Sequence, residues 1–114
     1  MKFRYFLSVL CLCFSLAAPA FPGEARGADK ELPRSLSHYI MGVYCEDLED
    51  IDRAIQEYQQ AVKEDPGSSL LHFSLASAFI KKSDAESAIT ELNQAAVLAP
   101  EAVEPHAVLA LVYA

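Results

Sequence analysis

The stretches that decide the fold are IDRAIQEYQQAVKEDP at residues 51–66 and AESAITELNQAAVLAP at residues 85–100. Each places apolar or small residues at helical spacing. The two stretches also agree in register, because alanines and a closing proline recur at intervals of 34 residues: Ala54 and Ala88, Ala61 and Ala95, Pro66 and Pro100. Proline has no backbone N–H and restrains the residue before it, so each stretch ends there. The sequence therefore predicts one helix that occurs twice.

A second helical window precedes each of these stretches, at residues 35–47 and 69–81. Only the short polar segment Leu48-Glu49-Asp50 separates the first window from the helix that follows. Two helices joined so tightly pack antiparallel as a hairpin. The sequence thus predicts two helical hairpins in tandem.

Polar residues mark the predicted starts of the second helices. Asp50 is predicted to cap one of them with its carboxylate. Ser83 followed by Glu86 has the spacing of a capping box, in which a hydroxyl and a carboxylate satisfy free backbone N–H groups. Three histidines, His38, His72 and His106, also follow the 34-residue interval.

This pattern resembles the tetratricopeptide repeat family, whose unit is a 34-residue helix-turn-helix. The resemblance implies an all-α fold, an α-solenoid of antiparallel hairpins, with complete repeats at 35–68 and 69–102 and the first helix of a third at 103–114. The positions that carry the signature are predicted to pack the repeats together. They are Gly42, Ala54, Tyr58, Ala61, Pro66, Ala76, Phe79, Ala88, Leu92, Ala95 and Pro100.

The chain departs from the family pattern at three kinds of position. It has histidine where the family often has tryptophan, and Cys45 where a large aromatic residue is common. It has Glu49 and Ser83 in the hairpin turns, where glycine is common. These departures leave the fold prediction unchanged.

Residues 1–20 have the layout of a secretory signal peptide. Lys2 and Arg4 give a positive start, and residues 5–18 form an apolar run followed by small residues. The run has 14 residues, and a membrane-spanning helix needs about 20. We expect cleavage after Ala20 and hence a periplasmic or secreted protein, with an uncleaved membrane anchor as the alternative. Residues 21–34 mix Pro, Gly and charges and are predicted to be a linker.

Charge and cysteine content exclude several classes. The formal charge of −7 becomes −9 if residues 1–20 are removed, because two positive side chains leave with them. Such an acidic chain is not expected to bind nucleic acid. Cys11 and Cys13 belong to the predicted signal, which leaves Cys45 as a single thiol that cannot form an internal disulfide. Its place in the repeat predicts a buried apolar residue.

No catalytic, metal or cofactor site is predicted. The three histidines are each one repeat apart, and packed helices lie ~8–10 Å apart, whereas zinc ligands lie ~2.1 Å from one ion. The acidic cluster Glu46, Asp47, Glu49, Asp50 and Asp52 lacks the glycine of a calcium loop, so a solvated turn is expected, with a docked basic partner as the alternative. No catalytic motif is found, and we predict neither an enzyme nor a small-molecule substrate.

The resemblance implies a groove lined by the first helix of each repeat, at Tyr39, Val43, Phe73, Ser77 and Lys81. The predicted function is a protein-interaction scaffold of the bacterial cell envelope or periplasm, which binds a peptide or helix of another protein. The groove is mostly apolar, so the carboxylate recognition of some family members is not expected. An alternative is that the linker or other repeats cover the groove. Another is that the repeats belong to a larger envelope enzyme or an export or assembly machine with its active domain beyond residue 114.

The third unit has an apolar helix, with Val108, Leu109, Leu111, Val112 and Tyr113, and no second helix to cover it. Repeat arrays generally need three or more units and a polar end. We therefore expect the N-terminal piece of a longer array. Self-association through the open third repeat is the alternative, and it would appear as a mass that depends on concentration.

Overall fold

The computed structural model describes residues 31–114, which fold into five α-helices without a strand. The helices are α1 (Arg34–Asp47), α2 (Ile51–Glu64), α3 (Ser69–Lys81), α4 (Ala85–Leu98) and α5 (Val103–Tyr113). The predicted signal peptide and linker residues 21–30 lie outside the described residues. Hairpins α1–α2 and α3–α4 pack most extensively, while α2 contacts α3 and α4 contacts α5 across the repeat boundaries. The predicted all-α repeat solenoid is confirmed.

Both hairpin turns end the first helix in the same way. The N–H of Asp50 donates to the Cys45 carbonyl at 2.9 Å, and the N–H of Glu49 donates to the Glu46 carbonyl at 2.9 Å. This pair of bonds forms a Schellman motif, which needs a left-handed residue at its turn. Glu49 takes that conformation with φ of 59°. Ser83 occupies the equivalent position in the second hairpin with φ of 65°.

The helix that follows each turn is capped by the next residue, an aspartate. Asp50 accepts from the N–H of Arg53 at 3.3 Å, which confirms the predicted cap of α2. The capping box predicted at Ser83 and Glu86 is wrong, because Asp84 caps α4 by accepting from the N–H of Ser87 at 3.2 Å. Ser83 cannot fill that role since it lies one residue earlier, where it completes the Schellman turn that ends α3.

A continuous core joins the first hairpin to α3. It contains Cys45, Ala54, Ile55, Tyr58, Leu75 and Ala78, all buried. Cys45 is 3% exposed, so the predicted buried apolar role of this thiol is confirmed. Burial of a side chain the size of isoleucine contributes about 1.5–3 kcal/mol, so this cluster links the two repeats into one packed unit.

The two hairpins fill equivalent positions between their helices with side chains of different sizes. In the first repeat, Gly42 of α1 lies against the ring of Tyr58, which is 1% exposed. In the second repeat the equivalent residues are Ala76 and Leu92, both fully buried. A smaller residue on the first helix therefore accompanies a larger one on the second, which keeps the interior filled.

The predicted packing residues fall into three groups. Gly42, Ala54, Tyr58, Ala61, Ala76, Ala88, Leu92 and Ala95 are buried, and Phe79 is half-buried. Pro66 and Pro100 are exposed. These prolines follow the ends of α2 and α4, and they do not fill space between the repeats.

No helix within residues 31–114 combines the length and apolar character that crossing a membrane requires.

Candidate functional site

Histidine and glutamate pairs tie the two helices of each hairpin together. His38 of α1 contacts Glu57 of α2 with 2.7 Å between Nδ1 and Oε2. His72 of α3 contacts Glu91 of α4 in the same way at 2.6 Å. These pairs were not predicted from the sequence, although Glu57 and Glu91 are also 34 residues apart, a signal that could have identified them.

Two of the in-register histidines, His72 and His106, also contact the preceding repeat. Nε2 of His72 donates to the Pro66 carbonyl at 2.8 Å, and Nε2 of His106 donates to the Pro100 carbonyl at 3.2 Å. A carbonyl only accepts, so each ring nitrogen acts as the donor there. The in-register histidines therefore hold the first helix of a repeat against the end of the previous one. Within residues 31–114, no group of three His, Cys, Asp or Glu side chains could hold a metal ion.

The first helices form a face that carries the predicted groove residues. Tyr39 and Val43 of α1 line one hollow of about 340 Å³ together with Ile40, Tyr44 and Asp47. Phe73 of α3 lines another of about 340 Å³, between α3 and the start of α5. We call the surface formed by these hollows and the space between them the first-helix face.

A third hollow connects these two along the first-helix face. It has a volume of about 230 Å³ and brings Tyr39 and Leu36 of α1 next to Leu70 of α3. Leu70 also lines the hollow that contains Phe73. The structure thus places Tyr39, Val43 and Phe73 along one chain of connected hollows. Leu36 and Leu70 were missed, although they are 34 residues apart and remain 39% and 56% exposed.

The remaining predicted groove residues extend this face along α3. Ser77 is half-buried, and it lies four residues after Phe73 and four before Lys81, so all three share one side of the helix. Lys81 is bound to α1, with 3.6 Å between its Nζ and Oε2 of Glu46. Its charge is therefore already paired.

The carboxylates of Glu46 and Asp47 lie at the end of the first-helix face where Lys81 also lies. The Glu46 side chain is 17% exposed, and its Oε1 is buried. Burial raises the pKa of the Tyr58 hydroxyl above its usual range, and the charge of Glu46 and a hydrogen bond to its carboxylate raise that pKa further. The Tyr58 hydroxyl thus faces this carboxylate as a donor.

The acidic cluster predicted as a solvated turn is divided among separate tasks. Asp50 caps α2, Glu46 pairs with Lys81, and Asp52 pairs with Lys82 of the next repeat. Asp47, which borders the α1 hollow, takes part in none of the ion pairs among residues 31–114. Within the described part of the chain, the face therefore ends in the unpaired carboxylate of Asp47 beside that of Glu46, which is paired with Lys81.

A hollow of about 270 Å³ lies away from this face, where α2, α3 and α4 meet. It is lined by Val62, Leu75 and Phe79 together with the polar residues Gln59, Ser87, Thr90 and Glu91. Glu91 is already paired with His72, and the apolar members belong to or pack on the core. We therefore regard it as a packing feature and not as a binding site.

Comparison with known proteins agrees with this geometry. A sequence model described as tetratricopeptide repeat matches residues 14–69 and 46–107. A comparison with curated proteins gave no match.

Two solved structures share the fold. One is the second tetratricopeptide domain of Spaghetti (RPAP3) bound to the HSP90 peptide SRMEEVD, with TM-score 0.67, 22% identity, and coverage of 79% of this chain and 81% of that one. The other is the first such domain of the same protein with the same peptide, with TM-score 0.67, 20% identity, and coverage of 69% and 63%. The chain thus spans less than two thirds of the length of the latter.

Proposed function

Because this chain belongs to the tetratricopeptide repeat family, we propose that its first-helix face binds a segment of another protein and that the chain acts as an interaction scaffold without a reaction of its own. The observation that carries this proposal is the chain of hollows through Tyr39, Leu70 and Phe73. The similar domains of Spaghetti are bound to a peptide, which supports peptide binding as the function of this chain. Extended surfaces of this kind are where repeat arrays bind their partners.

The apolar character of the face indicates what a bound segment gains. Ile40, Tyr44 and Leu70 are 48%, 56% and 56% exposed, so a partner side chain can still remove much of their area from water. Burying apolar surface contributes about 25 cal/mol per Å². The exposed surface that lines the hollows is mainly apolar, so recognition rests chiefly on shape and apolar contact.

A selection from a random library of 12-residue peptides, using the full chain, tests this proposal. The variant Val43→Gln/Leu70→Gln removes two partly exposed apolar contacts without opening the core. Val97→Gln is the matched control, because Val97 is 74% exposed on α4, outside the first-helix face. We expect selected peptides to bind about tenfold more weakly to the double variant and equally well to the control. A selection without binders, or binders that the double variant retains, would contradict the proposal.

We further propose that the protein is exported and works in the periplasm or outside the cell. The support is the positive start at Lys2 and Arg4 followed by the apolar run of residues 5–18. N-terminal sequencing of the protein from fractionated bacteria tests it. A mature chain that starts at Phe21 in the exported fraction is expected, and an intact Met1 in the cytosol would overturn the proposal.

A further inference from the structure

The charges around the first-helix face are unevenly distributed. Asp47 borders the α1 hollow, Asp65 the connecting hollow and Glu104 the hollow beside α5. Among residues 31–114, no lysine or arginine lines any of the three hollows. Lys81, the cation on the predicted groove helix, is paired with Glu46. The charged side chains that line the hollows among the described residues are therefore all acidic.

Glu46 adds a second negative charge next to Asp47 at this end of the face. One oxygen of its carboxylate faces Lys81, while the other is buried beside the Tyr58 hydroxyl, out of reach of a docked partner. A cationic donor that arrives there would therefore pair with the exposed carboxylate of Asp47, and the charge of Glu46 would attract it as well. An acidic group there would meet both carboxylates and be repelled.

On the basis of the proposed function, we infer that the segment bound by the first-helix face is apolar with a lysine or arginine at the end that meets Glu46 and Asp47, and that acidic segments are rejected. The apolar part occupies the hollows lined by Tyr39, Leu70 and Phe73. The basic residue gives direction and register, because only one end of the face has the Glu46 and Asp47 pair. Charge complementarity of this kind mainly increases the rate of association and the specificity.

The inferred preference differs from that of the structurally similar domains. The peptide bound by the Spaghetti domains, SRMEEVD, has three acidic residues and one arginine. A face whose hollows are lined by Asp47, Asp65 and Glu104 repels such a peptide, and its cation among the described residues, Lys81, is already paired with Glu46. The shared fold therefore carries a different specificity in this chain.

The peptides from the library selection test this inference. Their mean net charge should be positive and higher than that of the unselected library, and the heptapeptide SRMEEVD should show no binding at the same protein concentration. Selected peptides whose affinity depends on Val43 and Leu70 but whose mean charge is neutral or acidic would overturn the inference and leave the proposed function intact. A lack of groove-dependent peptides would overturn the proposed function itself.

Substitutions of the two carboxylates give a second test. Glu46→Gln/Asp47→Asn should weaken a selected basic peptide about two- to fivefold for each ion pair lost, and it should flatten the decrease of affinity with NaCl. Glu64→Gln is the matched control, since Glu64 is an exposed carboxylate at the end of α2, outside the three hollows. Equal losses in both variants, or an unchanged salt dependence in the double variant, would contradict the inference.

Discussion

Glu49 and Ser83 occupy the left-handed position of the hairpin turns, with φ of 59° and 65°. For a residue with a Cβ atom this conformation costs roughly 1–2 kcal/mol, whereas glycine adopts it freely. Replacing the residue by glycine removes this cost, but part of the gain in stability is lost because glycine is also more flexible in the unfolded chain. We therefore expect Ser83→Gly to raise the free energy of unfolding by about 0.5–1 kcal/mol, as measured by urea titration.

The opposite effect is expected within a helix. Gln60→Gly, at an exposed position of α2, should lower the free energy of unfolding by about 1 kcal/mol. A stabilisation by Ser83→Gly and a destabilisation by Gln60→Gly would together show that backbone conformation is responsible. Two destabilised variants would argue that Ser83 is not strained.

Asp84 provides a prediction for acid conditions. Hydrogen bonds from the Ser87 hydroxyl and then from its backbone N–H hold the pKa of Asp84 below its ordinary value of 3.8. A lowered pKa in the folded state means that the cap stabilises fully above pH 3.8 and loses its effect as the pH falls through the lower folded value. The stability advantage over Asp84→Asn should therefore be constant above about pH 5 and should shrink towards pH 2.

Urea titrations of both proteins at several pH values measure this advantage. Both proteins contain the same other carboxylates, so the effect of their titration largely cancels in the difference between the two free energies of unfolding. An advantage that is the same at pH 7 and pH 2 would contradict the prediction.

The helix caps were only partly predictable from the sequence. Asp50 and Asp84 play the same role, yet only Asp50 was predicted as a cap, because Ser83 and Glu86 matched a motif one residue out of register. The motif describes a helix start alone. It cannot reveal that the preceding residue is still needed to end another helix.

At the scale of the elements, the Gly42 and Tyr58 contact fixes how closely α1 and α2 approach. A Cβ atom added at Gly42 would lie 2.6 Å from Cδ1 and 2.9 Å from Cζ of Tyr58, closer than van der Waals contact allows. We expect Gly42→Ala to cost about 1–3 kcal/mol of stability, because the buried ring has little space to move.

The second hairpin supplies the compensating change. It combines alanine and leucine at the equivalent positions 76 and 92, so Gly42→Ala/Tyr58→Leu should be more stable than the sum of the single effects predicts. A double-mutant cycle by urea unfolding measures this coupling, and we expect at least about 1 kcal/mol. Additive effects would mean that the two hairpins use different spacings and that the contact does not set the distance.

The contacts of the histidines predict how much each contributes to the stability of the junction between repeats. His72 binds both Glu91 of its own hairpin and the carbonyl of Pro66 in the repeat before, and its side chain is 9% exposed. Among the described residues His38 binds Glu57 alone, and its side chain is 35% exposed. His72→Ala should cost about 2–3 kcal/mol and His38→Ala about 0.5–1 kcal/mol, since the buried His72 makes two of the hydrogen bonds among the described residues and the partly exposed His38 makes one.

Thermal and urea unfolding of the two variants provide the comparison. Glu57→Gln and Glu91→Gln, measured alongside, separate the bond within the hairpin from the bond between repeats. Equal costs for the two histidine variants would show that the bond to Pro66 adds nothing to the junction.

The elements themselves were predictable to within a residue at most ends. Apolar periodicity located the helices, and the prolines after α2 and α4 defined where they stop. The hydrogen bonds between repeats were not predictable in the same way. The bond from His72 to the Pro66 carbonyl, for example, depends on the distance between the two repeats. Sequence spacing showed that the histidines were equivalent. It did not show what they bind.

At the scale of the whole molecule, the repeat pattern predicted the candidate site only in part. It identified Tyr39, Val43 and Phe73 as neighbours because family positions fix which side of a helix they occupy. It did not reveal that Lys81 is engaged by Glu46, since this pair connects two repeats and depends on side-chain reach. The polarity of the face therefore became visible only in the structure.

Net charge provides the last prediction. Residues 31–114 contain five Lys and Arg and fourteen Asp and Glu, a formal charge of −9. Such an excess destabilises the compact state through self-repulsion. Surface pairs such as Lys82 with Asp52 act in the opposite direction, but exposed pairs contribute only about 0–1 kcal/mol each. Repulsion should dominate, so NaCl between 10 and 150 mM should raise the Tm by about 2–5 °C as the Debye length falls to about 8 Å.

A charge variant makes this test specific to electrostatics. Glu64→Lys/Glu101→Lys changes the formal charge of residues 31–114 from −9 to −5, because each substitution adds two positive charges at an exposed site. Its Tm should be higher than that of the natural chain in 10 mM NaCl, and the two values should converge in 150 mM NaCl as screening replaces the effect of the substitutions. Differential scanning calorimetry measures both curves. A Tm that falls with salt in the natural chain would instead show that the ion pairs between repeats, including Lys81 with Glu46, outweigh the repulsion.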